Sequence, residues 1–282
     1  MAAEWEEKMG NLLRAGFWRV KKDKWLWTGI FIILVSGIWG CISQYHDMVQ
    51  YQRERTLESV AFLHILFPAI TLAASLSVLV GTEYSDGTIR NKIATGKKRS
   101  HIYLSTSVLC GTEALLTYLI PAFLQLTVGI PLFGFFKESL GKIGYEYLLM
   151  FLVFLVYASL YQMVAMLNQN KAYTAIICLI VGFLLLLAGS YLYQTMDSPQ
   201  FFEYADIVDG QAKMVTEKNP YYVTGMRRTV FRFLLDVLPS GMAMQMMTGT
   251  ITHPVRLIVC AVCDIMIFNG IGLYFFQKKD IK

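Results

Sequence analysis

Two carboxylates draw attention by their position. Glu113 lies near the middle of one long apolar run and Asp264 near the middle of another, accompanied by Gln125, Gln162 and Asn269. Ionisable side chains at that depth in hydrocarbon are costly and are functional candidates by default. Proton transfer is the chemistry such a pair could carry, along a polar conduit between helices. The alternative is that each is protonated, or hydrogen-bonded between helices as structural glue. Spacing alone does not put the two on one face.

Other chemistry is largely excluded. Cys260-x-x-Cys263 has the spacing of half a zinc site, but no second pair exists and the motif sits in an apolar helix. Together with Cys41, Cys110 and Cys178 these read as membrane-packed thiols, with no disulfide framework. His46, His64, His101 and His253 scatter over loops and segment edges, so no metal site is expected. The chain has no G-x-x-x-x-G-K-[ST] phosphate loop, no H-E-x-x-H pair and no G-x-S-x-G elbow. It is read as a non-enzyme that does not hydrolyse ATP.

The elements that must carry these residues follow from composition. Of 282 residues, 55% are hydrophobic and only 16% charged, well short of the roughly 25% charged residues of a soluble domain. The charges cluster, and between them run segments long enough to cross a bilayer at about 20 residues each. The candidates are 25–45, 60–80, 102–126, 145–167, 172–193 and 255–276. They are continuously apolar rather than alternating, which selects helices over a barrel. The fold class is therefore an all-α membrane protein with six transmembrane helices. The first run follows a long amphiphilic stretch, so it is read as retained rather than cleaved. The third run, extended to Phe136, would be about 52 Å long at 1.5 Å per residue. Pro121, Gly129 and Pro131 in its second half predict a kink or a break there.

Orientation follows from the basic residues. Fifteen of the 25 Lys and Arg fall in 1–24, 83–101, the turn at 168–171 and the C-terminal tail. By the positive-inside rule those segments, and both termini, are cytoplasmic. The net charge of +5 reflects this bias and calls for no nucleic-acid partner.

Three segments lie outside the spans. In 4–20, Trp5, Met9, Leu12, Leu13, Gly16 and Val20 share a helical face, with Glu7, Arg14 and Trp18 opposite. Beside Lys21, Lys22 and Lys24 this reads as a helix in the inner membrane interface, with a docking helix as the alternative. In 83–101, Ser85 and Asp86 favour a helix start and Gly96 a stop, with Ile89 and Ile93 on one face between them. A short helix with apolar knobs suits docking; the bland reading is a charged turn that sets topology. The segment 195–254 is external: a polar first half with Asp197, Glu203, Asp206 and Asp209, then an amphipathic helix from Arg227. A bend at Pro239-Ser240-Gly241 and the Met-rich stretch to Met247 then dip back before the last span, as a re-entrant segment.

The string Val80-Gly81-Thr82-Glu83-Tyr84-Ser85-Asp86-Gly87-Thr88-Ile89-Arg90-Asn91, followed by Arg99 and Ile102-Tyr103-Leu104-Ser105, resembles the loop between the second and third helices of ABC-2 type transporter permeases. The layout of an interfacial N-terminal helix, six spans and a Leu238-Pro239-Ser240-Gly241 bend before the last is similar as well. The nearer likeness is to bacterial drug and peptide exporters, such as bacitracin-resistance, lantibiotic-immunity and phenol-soluble-modulin export permeases. Pro131 and the long third run depart from the family's pattern.

The resemblance implies one transmembrane domain over 1–282, with 83–101 as a cytoplasmic coupling loop. It implies a bacterial cytoplasmic-membrane exporter of amphipathic peptides or drugs, built from two copies of this chain and two ABC ATPase subunits. This chain would hold no cofactor; ATP and Mg²⁺ would sit in the ATPase. Glu83, Gly87, Thr88, Ile89, Arg90 and Ile93 would couple to the ATPase, with Ile89 filling a groove in it, and the substrate path would lie between the two copies. Two other readings compete: a proton-coupled secondary transporter using Glu113 and Asp264, for which no internal repeat is visible, and a non-transport scaffold or sensor.

Overall fold

The computed structural model describes residues 2–208 and 211–280, with the side chains of 10–204 and 214–280. Asp23 separates the first two helices, α1 (Ala2–Lys22) and α2 (Lys24–Tyr51). Its extended backbone ends one helix, and its carboxylate accepts the Trp25 amide at 2.8 Å to start the next. The apolar face expected on α1 turns toward the protein itself: Leu12, Gly16 and Val20 are buried, and Gly16 sits against Leu109. Trp18 stays exposed on the opposite side under the Lys22 ammonium, 3.9 Å from the ring centroid. The side chains of Trp5, Glu7 and Met9 lie outside the described residues.

The span expected at 60–80 is not one helix. A short helix α3 (Leu57–Ala61) gives way to successive turns, and α4 (Pro68–Ser85) begins anew. Proline is the reason: without an N–H it cannot continue a helix from upstream but fits the first turn of a new one. The His64 carbonyl instead accepts the Phe67 amide at 3.0 Å. The 18-residue α4 is enclosed by its neighbours along most of its length. A seven-residue helix α5 (Thr88–Ala94) follows it.

The third run is continuous but widened. After α6 (Arg99–Leu124) a π-helical turn spans Gln125–Gly129 and leads into α7 (Ile130–Phe133), which stops at Gly134. Pro121, four residues before the turn, removes one amide from the ladder, and a π-turn re-registers the bonds. The Gln125 side-chain amide donates to the Ala61 carbonyl and ties this turn to α3.

Next come α8 (Leu140–Leu167) and α9 (Lys171–Asp197). Helix α8 is the axis of the bundle, burying Leu149, Val153, Phe154, Tyr157 and Tyr161. The Tyr161 hydroxyl donates to the Ala69 carbonyl of α4 at 2.5 Å.

The segment before the last helix adds one small hairpin to an otherwise helical chain. Strands β1 (Phe201–Val208) and β2 (Gln211–Lys218) form an antiparallel hairpin in register from Phe201 opposite Lys218 to Val208 opposite Gln211. The side chains of Asp206 and Asp209 lie outside the described residues. Helix α10 (Gly225–Val237) then meets α11 (Pro239–Met247) across the extended Leu238. The Met-rich α11 is buried from Pro239 to Met246, against α8, α9 and α10, so its methionines serve as core. The chain closes on α12 (Pro254–Lys278).

Among the described residues, five helices are long and apolar enough to cross a membrane: α2, α6 with its continuation to Phe133, α8, α9 and α12. Their outer faces leave large apolar side chains uncovered, including Trp39 and Ile42 on α2, Phe183 and Leu187 on α9, and Met266 and Ile267 on α12. Continuous apolar surface of this extent is unfavourable in water and natural in lipid. The protein is a multi-pass membrane protein.

Candidate functional site

Glu83, near the end of α4, is a buried carboxylate that requires partners. The Lys92 ammonium of α5 donates to both its oxygens at 2.8 Å. The Arg19 guanidinium of α1 donates to Oε1 at 2.5 Å and to the Leu79 carbonyl at 3.2 Å. One side chain thereby joins α1, α4 and α5, its charge met by two cations that also supply its hydrogen bonds.

Local sequence shapes the α5 loop around this joint. Gly87 takes φ 67 and lets the chain reverse between α4 and α5 without a Cβ penalty. At the far end Gly96 takes φ 79, its amide bonds the Ile93 carbonyl, and Lys97 bonds back to the Lys92 carbonyl, closing a Schellman stop. The helix begins at Thr88, after the Ser85-Asp86 pair expected to start it, because the Gly87 reversal intervenes.

The expectation for Ile89 is corrected. Its side chain is fully buried within the chain, in the main core, rather than presented to a partner. Ile93 is half-buried against the same core. The face left open consists of Ser85, Asp86, Arg90, Asn91 and Ala94, while Thr88 is half-exposed. The helix is thus fastened from below by an apolar anchor and an ion-pair brace, and it shows a polar face.

The same end of the bundle is tied further by residues to which the sequence alone assigns no contact. The Tyr84 hydroxyl donates to the Met166 carbonyl at 2.5 Å. Arg99 donates to the carbonyls of Phe276, Gln277 and Lys279, capping α12. The Lys279 ammonium donates to Leu167 at 2.6 Å, capping α8, and lies 5.1 Å from the Tyr84 ring centroid. Cations at helix C-termini neutralise the partial negative charge there. Several of the basic residues counted for orientation therefore lock helix ends.

The intramembrane polar groups divide. Glu113 is fully buried in α6 near Ser75 of α4, and among the described residues neither of its oxygens has a hydrogen-bond partner of ordinary length. Asp264, in α12, leaves Oδ2 unpartnered. Among the described residues no hydrogen bond or ion pair joins these two carboxyl groups. The Gln162 and Asn269 amides are hydrogen-bonded: Gln162 donates to Ser107 at 2.7 Å, Ser107 to Asn269 at 3.2 Å and Asn269 to Ser159 at 2.9 Å, linking α6, α8 and α12, whereas Gln125 donates to Ala61 and leaves its Oε1 unpartnered. This is interhelical bonding of the structural kind. At the opposite end of the bundle from α5, Asp236 is fully buried and accepts from Arg256 and, at 2.9 Å, from Gln245, with His253 Nδ1 at 3.6 Å.

A family model described as ABC-2 family transporter protein matches residues 12–185, from within α1 to within α9, and includes the whole α5 joint. No curated protein matches the chain.

Proposed function

The chain belongs to the ABC-2 family of transporter proteins, and from that premise we propose that it is the membrane-spanning permease subunit of an ATP-driven exporter. The partner is an ABC ATPase that supplies ATP and Mg²⁺ chemistry. In this reading two copies of the chain and two ATPase subunits form the machine, and α4 counts as the sixth span. Both termini and the α5 loop face the cytoplasm of a bacterial cell. The cargo is an amphipathic peptide or drug.

The observation that carries the reading is the fastening of α5. A force applied to a loose loop is lost in its bending. Here α5 is held to α4 by Glu83 and Lys92, to α1 through Arg19, and to the core through Ile89. Displacing α5 displaces α1 and α4 with it. Its open face, with Asp86 and Arg90, is the docking surface. Closure of the ATPase pair would rock the permeases and switch access between the two sides of the membrane.

The test uses the chain co-expressed with its ATPase. Arg90→Glu is expected to reduce co-purification of the two subunits. Glu83→Gln is expected to leave co-purification intact and abolish substrate-stimulated ATP hydrolysis. Unchanged binding and stimulation in both variants would sink the coupling assignment. Transport that survives without ATP but collapses with the proton gradient would favour the proton-coupled reading through Glu113 and Asp264.

A further inference from the structure

Three arginines meet at the end of the bundle away from α5. Arg228 and Arg232 on α10 and Arg256 on α12 line a cavity of about 560 Å³, with His253 beside them. The carboxylate available to them, Asp236, lies beneath the cavity and is engaged by Arg256 and Gln245. Arg228 is steadied by the Val223 and Met196 carbonyls at 3.3 and 3.2 Å and by the Tyr222 ring. Among the described residues no carboxylate pairs with Arg228 or Arg232, and the Nε of Arg256 is buried without a partner. Asp197 lines a smaller cavity of about 130 Å³ that shares Arg232. The larger cavity therefore carries a surplus of positive charge presented by planar guanidiniums, the groups best matched to phosphate oxygens.

The same cavity is lined by Val230 and Phe233, both exposed. It also sits at a defined depth. Arg256 is two residues into α12 and Met196 one residue from the end of α9, so the cavity lies where two apolar helices reach their limit. That is the level of lipid headgroups. We propose that this cavity binds the phosphate of an anionic membrane lipid, with Arg228, Arg232 and Arg256 facing the phosphate and Val230 and Phe233 facing the start of the acyl region. Arg256 is pre-positioned for this by Asp236, which fixes one edge of the guanidinium while the side chain stays partly exposed. The proposal is independent of the transport reading, since it concerns the resident lipid of the opposite end of the bundle.

The test uses the full chain, purified in detergent and returned to bilayers of phosphatidylcholine alone or with phosphatidylglycerol, with retained lipid measured by native mass spectrometry. The wild type is expected to retain phosphatidylglycerol in preference to phosphatidylcholine. Arg232 makes no hydrogen bond or ion pair among the described residues, so its replacement leaves the fold intact. Arg232→Gln should weaken the preference by about tenfold, the loss of one charge-assisted contact, and Arg232→Lys should keep most of it. Inorganic phosphate added to the lipid-stripped protein separates the sources. Thermal stabilisation by phosphate alone, with no retained phosphatidylglycerol, would overturn the lipid assignment in favour of a soluble anion. Equal retention of the two lipids, or the same preference in Arg232→Gln as in the wild type, would overturn the site.

Discussion

Glu83 and Asp236 stand at opposite ends of the bundle, both buried and each approached by two basic side chains and the elements that carry them. At the α5 end the partners come from α1 and α5, both lie largely within the protein, and both bond the carboxylate within 2.8 Å. At the α10 end Arg256 and Gln245 satisfy the carboxylate, while Arg228 and Arg232 remain open on a cavity. A buried carboxylate bracketed by cations makes a closed joint when every cation is consumed. It makes a receptive surface when cations are left over. The difference lies in the count and direction of the basic groups rather than in the carboxylate.

The comparison can be broken or sharpened by substitution. Removing either carboxylate strands its cations, at about 3–5 kcal/mol for a buried pair. Glu83→Ala and Asp236→Ala should both lower the thermal midpoint of the detergent-purified protein strongly. A negligible change in one would show that its end is not held by charge. Ile89→Ala should cost about 2–4 kcal/mol for a fully buried aliphatic side chain; an unchanged midpoint would restore Ile89 to an outward, partner-facing role. Tyr84→Phe deletes one hydrogen bond to Met166, about 1 kcal/mol, and should speed amide exchange across 84–96 while leaving 225–247 unchanged.

The smallest effect is a pH dependence at the α10 end of the bundle. Glu58 accepts the Lys137 and Glu138 amides at 2.5 and 2.9 Å. Burial pushes its carboxyl up, but the hydrogen bonds, led by the Glu138 amide, outweigh it and hold its pKa below the ordinary glutamate value. A depressed folded-state pKa contributes stability above the unfolded value that is lost as pH falls through the folded one. Acidification below the ordinary carboxylate range should therefore loosen the 134–139 loop, by under about 1 kcal/mol for a partly exposed group. Glu58→Gln should remove that dependence, read as amide exchange against pH.

Much of the architecture is legible in the residues. Apolar runs locate α2, α6, α8, α9 and α12 because hydrocarbon leaves a backbone few alternatives to a helix. Pro121, Gly129 and Pro131 mark the altered ladder in the third run because proline withholds a donor wherever it sits. The split of the second run at Pro68 carried the same signal, but the apolar stretch from Val60 hid it. The hairpin was also written in the sequence, since Asp209-Gly210 between two short runs is a recognised two-residue turn signal.

The candidate site was legible as a location and not as a mechanism. Residues 83–101 stood out by their charges, glycines and isoleucines, properties of the chain itself. Which way Ile89 points, that Lys92 and Arg19 converge on Glu83 from segments 9 and 64 residues away, and that Asp236 meets Arg256, depend on contacts between elements. A helical period places Ile89 and Ile93 on one face but does not say whether that face meets the core or a partner. The sequence by itself determined a membrane-spanning helical chain and the places where its helices start, stop and bend, because those follow from local hydrogen bonding and the solvent. Only the tertiary structure decided which charges are consumed in joints and which are left open, because that is settled by distances between residues far apart in the chain.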